Sequence, residues 1–108
     1  MTNIKLYARK GGDIFGLQVK GHAGFGVRGT DVVCASVSIL VINTINSIQK
    51  LTSDRCNEKV NARKATIDFE IDGDVSKESK LLLDSMKLGL DNIAAEYPGN
   101  VKITVEEV

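Results

Sequence analysis

Tryptophan is absent from this 108-residue chain, and aromatic residues make up only 5% of it. Ile, Leu, Val and Ala must therefore fill the core, drawn from the 43% of residues that are apolar. Neither sign of charge is in excess, because 14 Lys and Arg balance 14 Asp and Glu. Binding nucleic acid through its phosphates draws on surplus Lys and Arg, so direct contact with nucleic acid is disfavoured. Only two cysteines occur, Cys34 and Cys56, too few for a disulfide framework. The opening MTNIKLYARKGG lacks the apolar segment of a secretory signal. The most apolar run, from Val32 to Ile48, is broken by Ser36, Ser38, Asn43 and Asn46 and reads as no membrane span. These absences point to a single domain over 1–108, working in the cytoplasm with no membrane partner.

What is present follows two periodicities. Ile4, Leu6 and Ala8 alternate with polar neighbours, and Phe15, Leu17 and Val19 alternate again after the turn signal Gly11-Gly12-Asp13. These predict a hairpin. Val33, Val37, Leu40, Val41, Thr44, Ile45 and Ile48 share one face of a helix expected to run from a cap at Thr30 or Asp31 to about Lys50. Val32, Ala35, Ile39 and Ile42 widen its apolar surface, which predicts a central position or a subunit interface. A strand near 58–62 and a second through Ile67, Phe69 and Ile71 come next. Ser76 is a candidate cap for another helix, whose face is Leu82, Met86, Leu90, Ile93 and Tyr97 and which Pro98-Gly99 ends. Val101, Ile103 and Val105 form a last strand. The order strand, strand, helix, strand, strand, helix, strand predicts an α+β two-layer sandwich, with a largely antiparallel sheet and both helices on one face.

The chemistry concentrates in GHAGFGVRGTDVVCASVS, residues 21–38, which holds the only histidine, four of ten glycines and one cysteine. Gly21, Gly24, Gly26 and Gly29 make the first half a pliable loop. Cys34, placed in the first turn of the following helix, would meet the partial positive charge that favours thiolate. His22 on the loop can fold back as its base, with free amides at the helix start as oxyanion donors. Asp31 either orients His22 or caps the helix. This chemistry needs neither cofactor nor metal.

Plainer readings compete. Cys34 can be a small core residue, His22 a loop histidine, and Cys56 an incidental thiol in a polar loop. Gly24-Phe25-Gly26-Val27-Arg28-Gly29 matches G-x-G-x-x-G, a phosphate-binding pattern. The hairpin-rich order and the strand pair preceding the loop speak against a dinucleotide fold. A zinc site from His22, Asp31, Cys34 and Cys56 lacks any close ligand pair.

The same run resembles the signature of the ribosomal-processing cysteine proteases (Prp), close to G-H-A…G-x-D-x-V-C-A-x-x-S. Gly21, His22, Ala23, Gly29, Asp31, Val33, Cys34, Ala35 and Ser38 match it. LGLDNIAAEYPGNVKITVEE is also similar to that family's C-terminal helix, Tyr-Pro turn and last strand. The resemblance implies Cys34 as nucleophile, His22 as general acid/base and a less certain role for Asp31. It implies that Gly21, Ala23, Gly24, Phe25, Gly26, Gly29 and Ser38 bind the substrate, the loop closing over bound peptide. It further implies a homodimer that cuts, after an aromatic residue, the short N-terminal extension of the large-subunit ribosomal protein L-twenty-seven. Two other classes stay open: a small-ligand module built on the glycine loop, and a non-catalytic ribosome-associated dimer.

Overall fold

The computed structural model describes residues 1–21, 28–61 and 63–108, with 28–31 described by backbone alone. Two strands, β1 (Thr2–Ala8) and β2 (Ile14–Lys20), precede helix α1 (Arg28–Leu51). Strands β3 (Cys56–Asn61) and β4 (Thr66–Ile71), helix α2 (Lys77–Glu96) and strand β5 (Val101–Glu107) complete the chain. The sheet order is β3-β4-β2-β1-β5. Every neighbouring pair is antiparallel except β1 and β5, which run parallel. One buried cluster joins Ile4, Leu6, Leu17, Val19, Ile67 and Phe69 of the sheet to Val37, Val41 and Ile45 of α1 and Leu83, Met86 and Leu90 of α2. Both helices therefore cover the same face, giving the α+β sandwich that the pattern implies. The other face carries Lys5, Gln18, Asp68 and Glu106, whose side chains pair with one another or with nearby groups.

Gly11 and Gly12 take φ of +110° and +104° in the first hairpin, a region that side chains rarely enter. The Arg9 amide donates to Asp13 O and the Gly12 amide to Arg9 O, which closes the turn. The alternation read from Phe15, Leu17 and Val19 fails at its first member. The register slips between Tyr7 and Ala8, so that Tyr7 faces Gly16 while Ala8 faces Ile14. This bulge turns Phe15 to the face opposite the helices, where its ring lies 6.1 Å from that of Tyr7 and 4.4 Å beneath the Arg9 guanidinium. Ile14 takes its place in the core. Gly16 lies so close to β4 that a Cβ there would come 2.5 Å from the Phe69 carbonyl oxygen.

Helix α1 starts earlier than its expected cap, so Thr30 and Asp31 belong to its first turn. Val33, Val37, Val41, Thr44, Ile45 and Ile48 are buried, as their spacing requires, and Leu40 is half-buried. The flanking set is not buried within this chain: Val32 is 61% exposed, Ile39 70% and Ile42 45%. A central position for α1 is therefore excluded, and a second apolar face stays on the surface. By length and composition alone, Val32–Leu51 would suffice to cross a membrane, contrary to the sequence reading. The interrupting residues are uncharged, and the hydroxyls of Ser36 and Thr44 donate back to the Val32 and Leu40 carbonyls, which satisfies them within the helix. Core helices of folded domains pass the same test, and one face of α1 is core.

Ser76 caps α2 as expected: its Oγ accepts from the Ser79 amide at 3.1 Å. The helix ends at Glu96, before Pro98. Its buried stripe is Ser79, Leu83, Met86 and Leu90, one position off the expected face at the start, with Leu82 and Ile93 half-buried beside it and Tyr97 exposed. Gly89 lets α1 approach, since a Cβ there would meet Leu40 Cδ2 at 2.6 Å. Strand β3 begins at Cys56, earlier than expected, so this cysteine belongs to a strand and packs against the core edge. Its expected last residue, Ala62, lies outside the described residues.

Candidate active site

The site assembles around the N-terminal end of β1. Cys34 is buried, 4% exposed, on the sheet-facing side of α1. Its Sγ lies 3.5 Å from the Oγ1 of Thr2, itself 1% exposed. The Thr2 amide donates to the Asn100 carbonyl at 2.8 Å, which ties this corner to the turn after α2. On the other side, Asn3 pairs with Lys20, so β2 ends beside the start of β1. Gly21 then turns out of the sheet with φ +77°, its amide donating to the Ala65 carbonyl. A Cβ at Gly21 would come 2.9 Å from the Met1 carbonyl oxygen. Gly21 thus abuts Met1 while Cys34 abuts Thr2, and the chain leaves Gly21 toward His22 from the same end of the sheet.

His22 lies outside the described residues, as do Ala23, Gly24, Phe25 and Gly26 of the expected substrate loop. Gly29, expected to close that loop, is helical, as is Arg28. Asp31 is also in the first turn of α1, which removes it as the helix cap. Ser38 is half-buried one turn beyond Cys34, on the same side of the helix.

The earlier start of α1 changes the electrostatics. Counted from Arg28, Cys34 is the seventh helical residue, in the second turn. The dipole effect fades beyond the first turn, and the unpaired amides lie a turn before Cys34. Activation of the thiol by the helix start, expected from the sequence, is therefore not what this geometry provides. Thr2 is the neighbour that sequence reasoning missed. It stands 32 positions from Cys34, and only the folded sheet brings the two together.

Cys56 is a different thiol. Its Sγ donates to the Asp54 carbonyl at 3.5 Å. Burial pushes its pKa above the usual thiol value, and the carboxylates of Asp54 and Glu58 push it the same way. Among the described residues no three His, Cys, Asp or Glu side chains gather to hold a metal ion. A surface depression of about 360 Å³ lies on the open face of the sheet, lined by Tyr7, Phe15, Asn57, Lys59, Asp68 and Glu70 among others. It is across the sheet from Cys34, and its size gives it no claim on the chemistry.

Comparison with known proteins places the chain as a whole. A family model described as Cysteine protease Prp matches residues 1–102. The ribosomal processing cysteine protease Prp of Staphylococcus aureus is 26% identical over 103 residues, covering 95% of this chain and 97% of that one. The crystal structure of that species' Prp with a covalently linked product peptide superposes with a TM-score of 0.87 at 25% identity, covering 98% of this chain and all (100%) of the other. Its complex with a substrate peptide gives a TM-score of 0.91 at 24% identity, again over 98% and 100%. With a whole-length family match and the same fold, the chain belongs to the Prp family and is a cysteine protease.

Proposed function

We propose that this protease, a single domain, removes the short N-terminal extension of a large-subunit ribosomal protein, the bacterial L-twenty-seven, as a step in ribosome assembly. Cys34 is the nucleophile and His22 the general acid/base. The observation that carries the reading is the shared corner: Cys34 against Thr2, and the chain leading to His22 leaving Gly21 against Met1. The Cys34 thiolate attacks the scissile carbonyl carbon, and the tetrahedral oxyanion collapses to a thioester. The imidazolium of His22 gives its proton to the departing amine. Water then attacks the thioester as His22 takes its proton, and the sulfur leaves as thiolate. No cofactor or metal is needed at any step.

The glycine-rich segment from Gly21, with Ala23, Gly24, Phe25 and Gly26, closes over the peptide and delivers His22. Gly29, Asp31 and Ser38, on the α1 segment around Cys34, complete the substrate-binding set of this reading, with Asp31 orienting the histidine. Recognition is of peptide, with no direct contact to nucleic acid. The place of action is the cytoplasm, where two unpaired cysteines persist.

The working form is a homodimer. Val32, Ala35, Ile39 and Ile42 recur at three, four and three residues, a second stripe along α1 that the chain leaves uncovered. A second copy of the same helix across a two-fold axis matches a stripe of this length and chemistry.

The direct test is cleavage of a peptide spanning the extension by Cys34→Ala and His22→Ala proteins. Each should lose cleavage while keeping the wild-type circular dichroism. Full activity in either removes that residue from the mechanism.

A further inference from the structure

Cys34 sits beyond the reach of the helix start and almost out of water, 4% exposed. An anionic sulfur in that position has lost solvent donors, and an uncompensated buried charge is costly. Among the described residues, the hydroxyl of Thr2, 3.5 Å away, is a polar group that faces it across the interface of α1 and β1. Thr2 is 1% exposed, so water does not compete for its proton. Its backbone is held by the hydrogen bond from its amide to Asn100 O and by the parallel pairing with Val101. A threonine hydroxyl can donate or accept. Once the sulfur is a thiolate, only the donating orientation is left for the contact.

We infer that Thr2 is a positioning residue for the nucleophile: its Oγ1–H donates to the Cys34 thiolate, holding the sulfur charged and aimed until the peptide carbonyl arrives. The inference rests on the reading of Cys34 as nucleophile. Thr2 touches no substrate in this scheme, so it acts on the fraction of enzyme carrying thiolate. Its loss lowers kcat and kcat/KM together and leaves KM where it was.

Two substitutions separate this from simple packing. Thr2→Val keeps the shape, removes the hydroxyl and suits a strand. Thr2→Ser keeps the hydroxyl and loses the methyl. All proteins carry Cys56→Ser, so that iodoacetamide reports Cys34 alone. Thr2→Val should slow both alkylation and kcat about tenfold, as expected for a lost hydrogen bond to a charged group, while Thr2→Ser stays within about twofold of wild type. The ultraviolet thiolate absorbance at neutral pH should fall in Thr2→Val and persist in Thr2→Ser. Thr2→Ala replaces Thr2→Val should the latter not fold. Wild-type rates in the hydroxyl-free protein, or an equal loss in Thr2→Ser, overturn the inference. Cys34→Ala is run beside them: if it still cleaves, the nucleophile assignment itself is wrong. If it is dead while Thr2→Val is unimpaired, only the role of Thr2 falls.

Discussion

Gly21 stands so close to the first residue that a Cβ on it would lie 2.9 Å from the Met1 carbonyl oxygen. The contact fixes where the histidine-bearing segment leaves the sheet. Gly21 also has φ +77°, which an L side chain adopts only at a cost. Gly21→Ala should therefore destabilise the fold by about 1–3 kcal/mol. Its kcat should fall further than that of Gly73→Ala, which has a similar φ of +86° but open space around it. Equal effects of the two on cleavage would show that the Gly21 contact does not set the site.

The two thiols should differ in reactivity, and against what static exposure suggests. Cys56 is partly exposed, Cys34 buried. Burial, Asp54 and Glu58 all disfavour the Cys56 thiolate. The thiolate is the reacting species, and the proposed dyad gives Cys34 an imidazole partner that Cys56 lacks, so at neutral pH Cys34 should alkylate faster than Cys56 in single-cysteine proteins followed by mass spectrometry. Faster labelling of Cys56 would argue that Cys34 is an inert core thiol.

Asp54 links the end of α1 to the start of α2. Its Oδ2 accepts from the Ser76 hydroxyl at 2.7 Å and from the Ser76 amide at 3.1 Å. Hydrogen bonding from Ser79 and Ser76 outweighs burial and holds its carboxyl below the usual value. A lowered folded pKa means that the charged carboxylate stabilises the fold above the unfolded pKa of about 3.9. That contribution is lost as pH falls through the lower folded value. Asp54→Asn should remove this part of the acid dependence in denaturation measured between neutral and acid pH. Ser76→Ala, which also loses the cap of α2, should cost about 1 kcal/mol at neutral pH. An unchanged acid profile in Asp54→Asn would discount the carboxylate.

Ile39 is 70% exposed in the middle of the uncovered stripe. Ile39→Glu should leave the unfolding free energy of the isolated chain within about 0.5 kcal/mol, as surface changes do. It should nevertheless convert a dimer to a monomer in sedimentation. A wild-type protein that is already monomeric at micromolar concentration would remove the dimer from the proposal.

Much of this molecule was legible in its sequence, because period-two and helical spacing are written by burial on one face. Ile4, Leu6 and Ala8, or Ile67, Phe69 and Ile71, declare their strands directly. Phe15 misled because a bulge inserts one residue and reverses the facing of everything before it; the alternation looks unbroken in the letters. The start of α1 was misplaced because Thr30 and Asp31 are good caps, yet Arg28 and Gly29 already adopt helical geometry. That shift of one turn moved Cys34 away from the helix end. Thr2 was invisible for another reason: no local spacing joins position 2 to position 34, and only the packing of α1 on β1 does. His22 and the glycines after it, read from the sequence as base and loop, lie outside the described residues.

The parallel pairing of β1 with β5 carries a consequence for when this enzyme becomes active. Residue 2 finds its amide partner at Asn100 and its ladder partner at Val101, so opposite ends of the chain must meet before that corner exists. Such distant closure costs more chain entropy than a local contact does. A nascent chain still lacking its final strand would hold the cysteine, histidine and glycines in order, yet without the floor on which they are set. Without Asn100 and β5, Thr2 would lack both of these partners, and the corner beside Cys34 would lose its anchor. A chain cut after Gly99 should be inert toward peptide, and regain activity when the missing strand is supplied in trans.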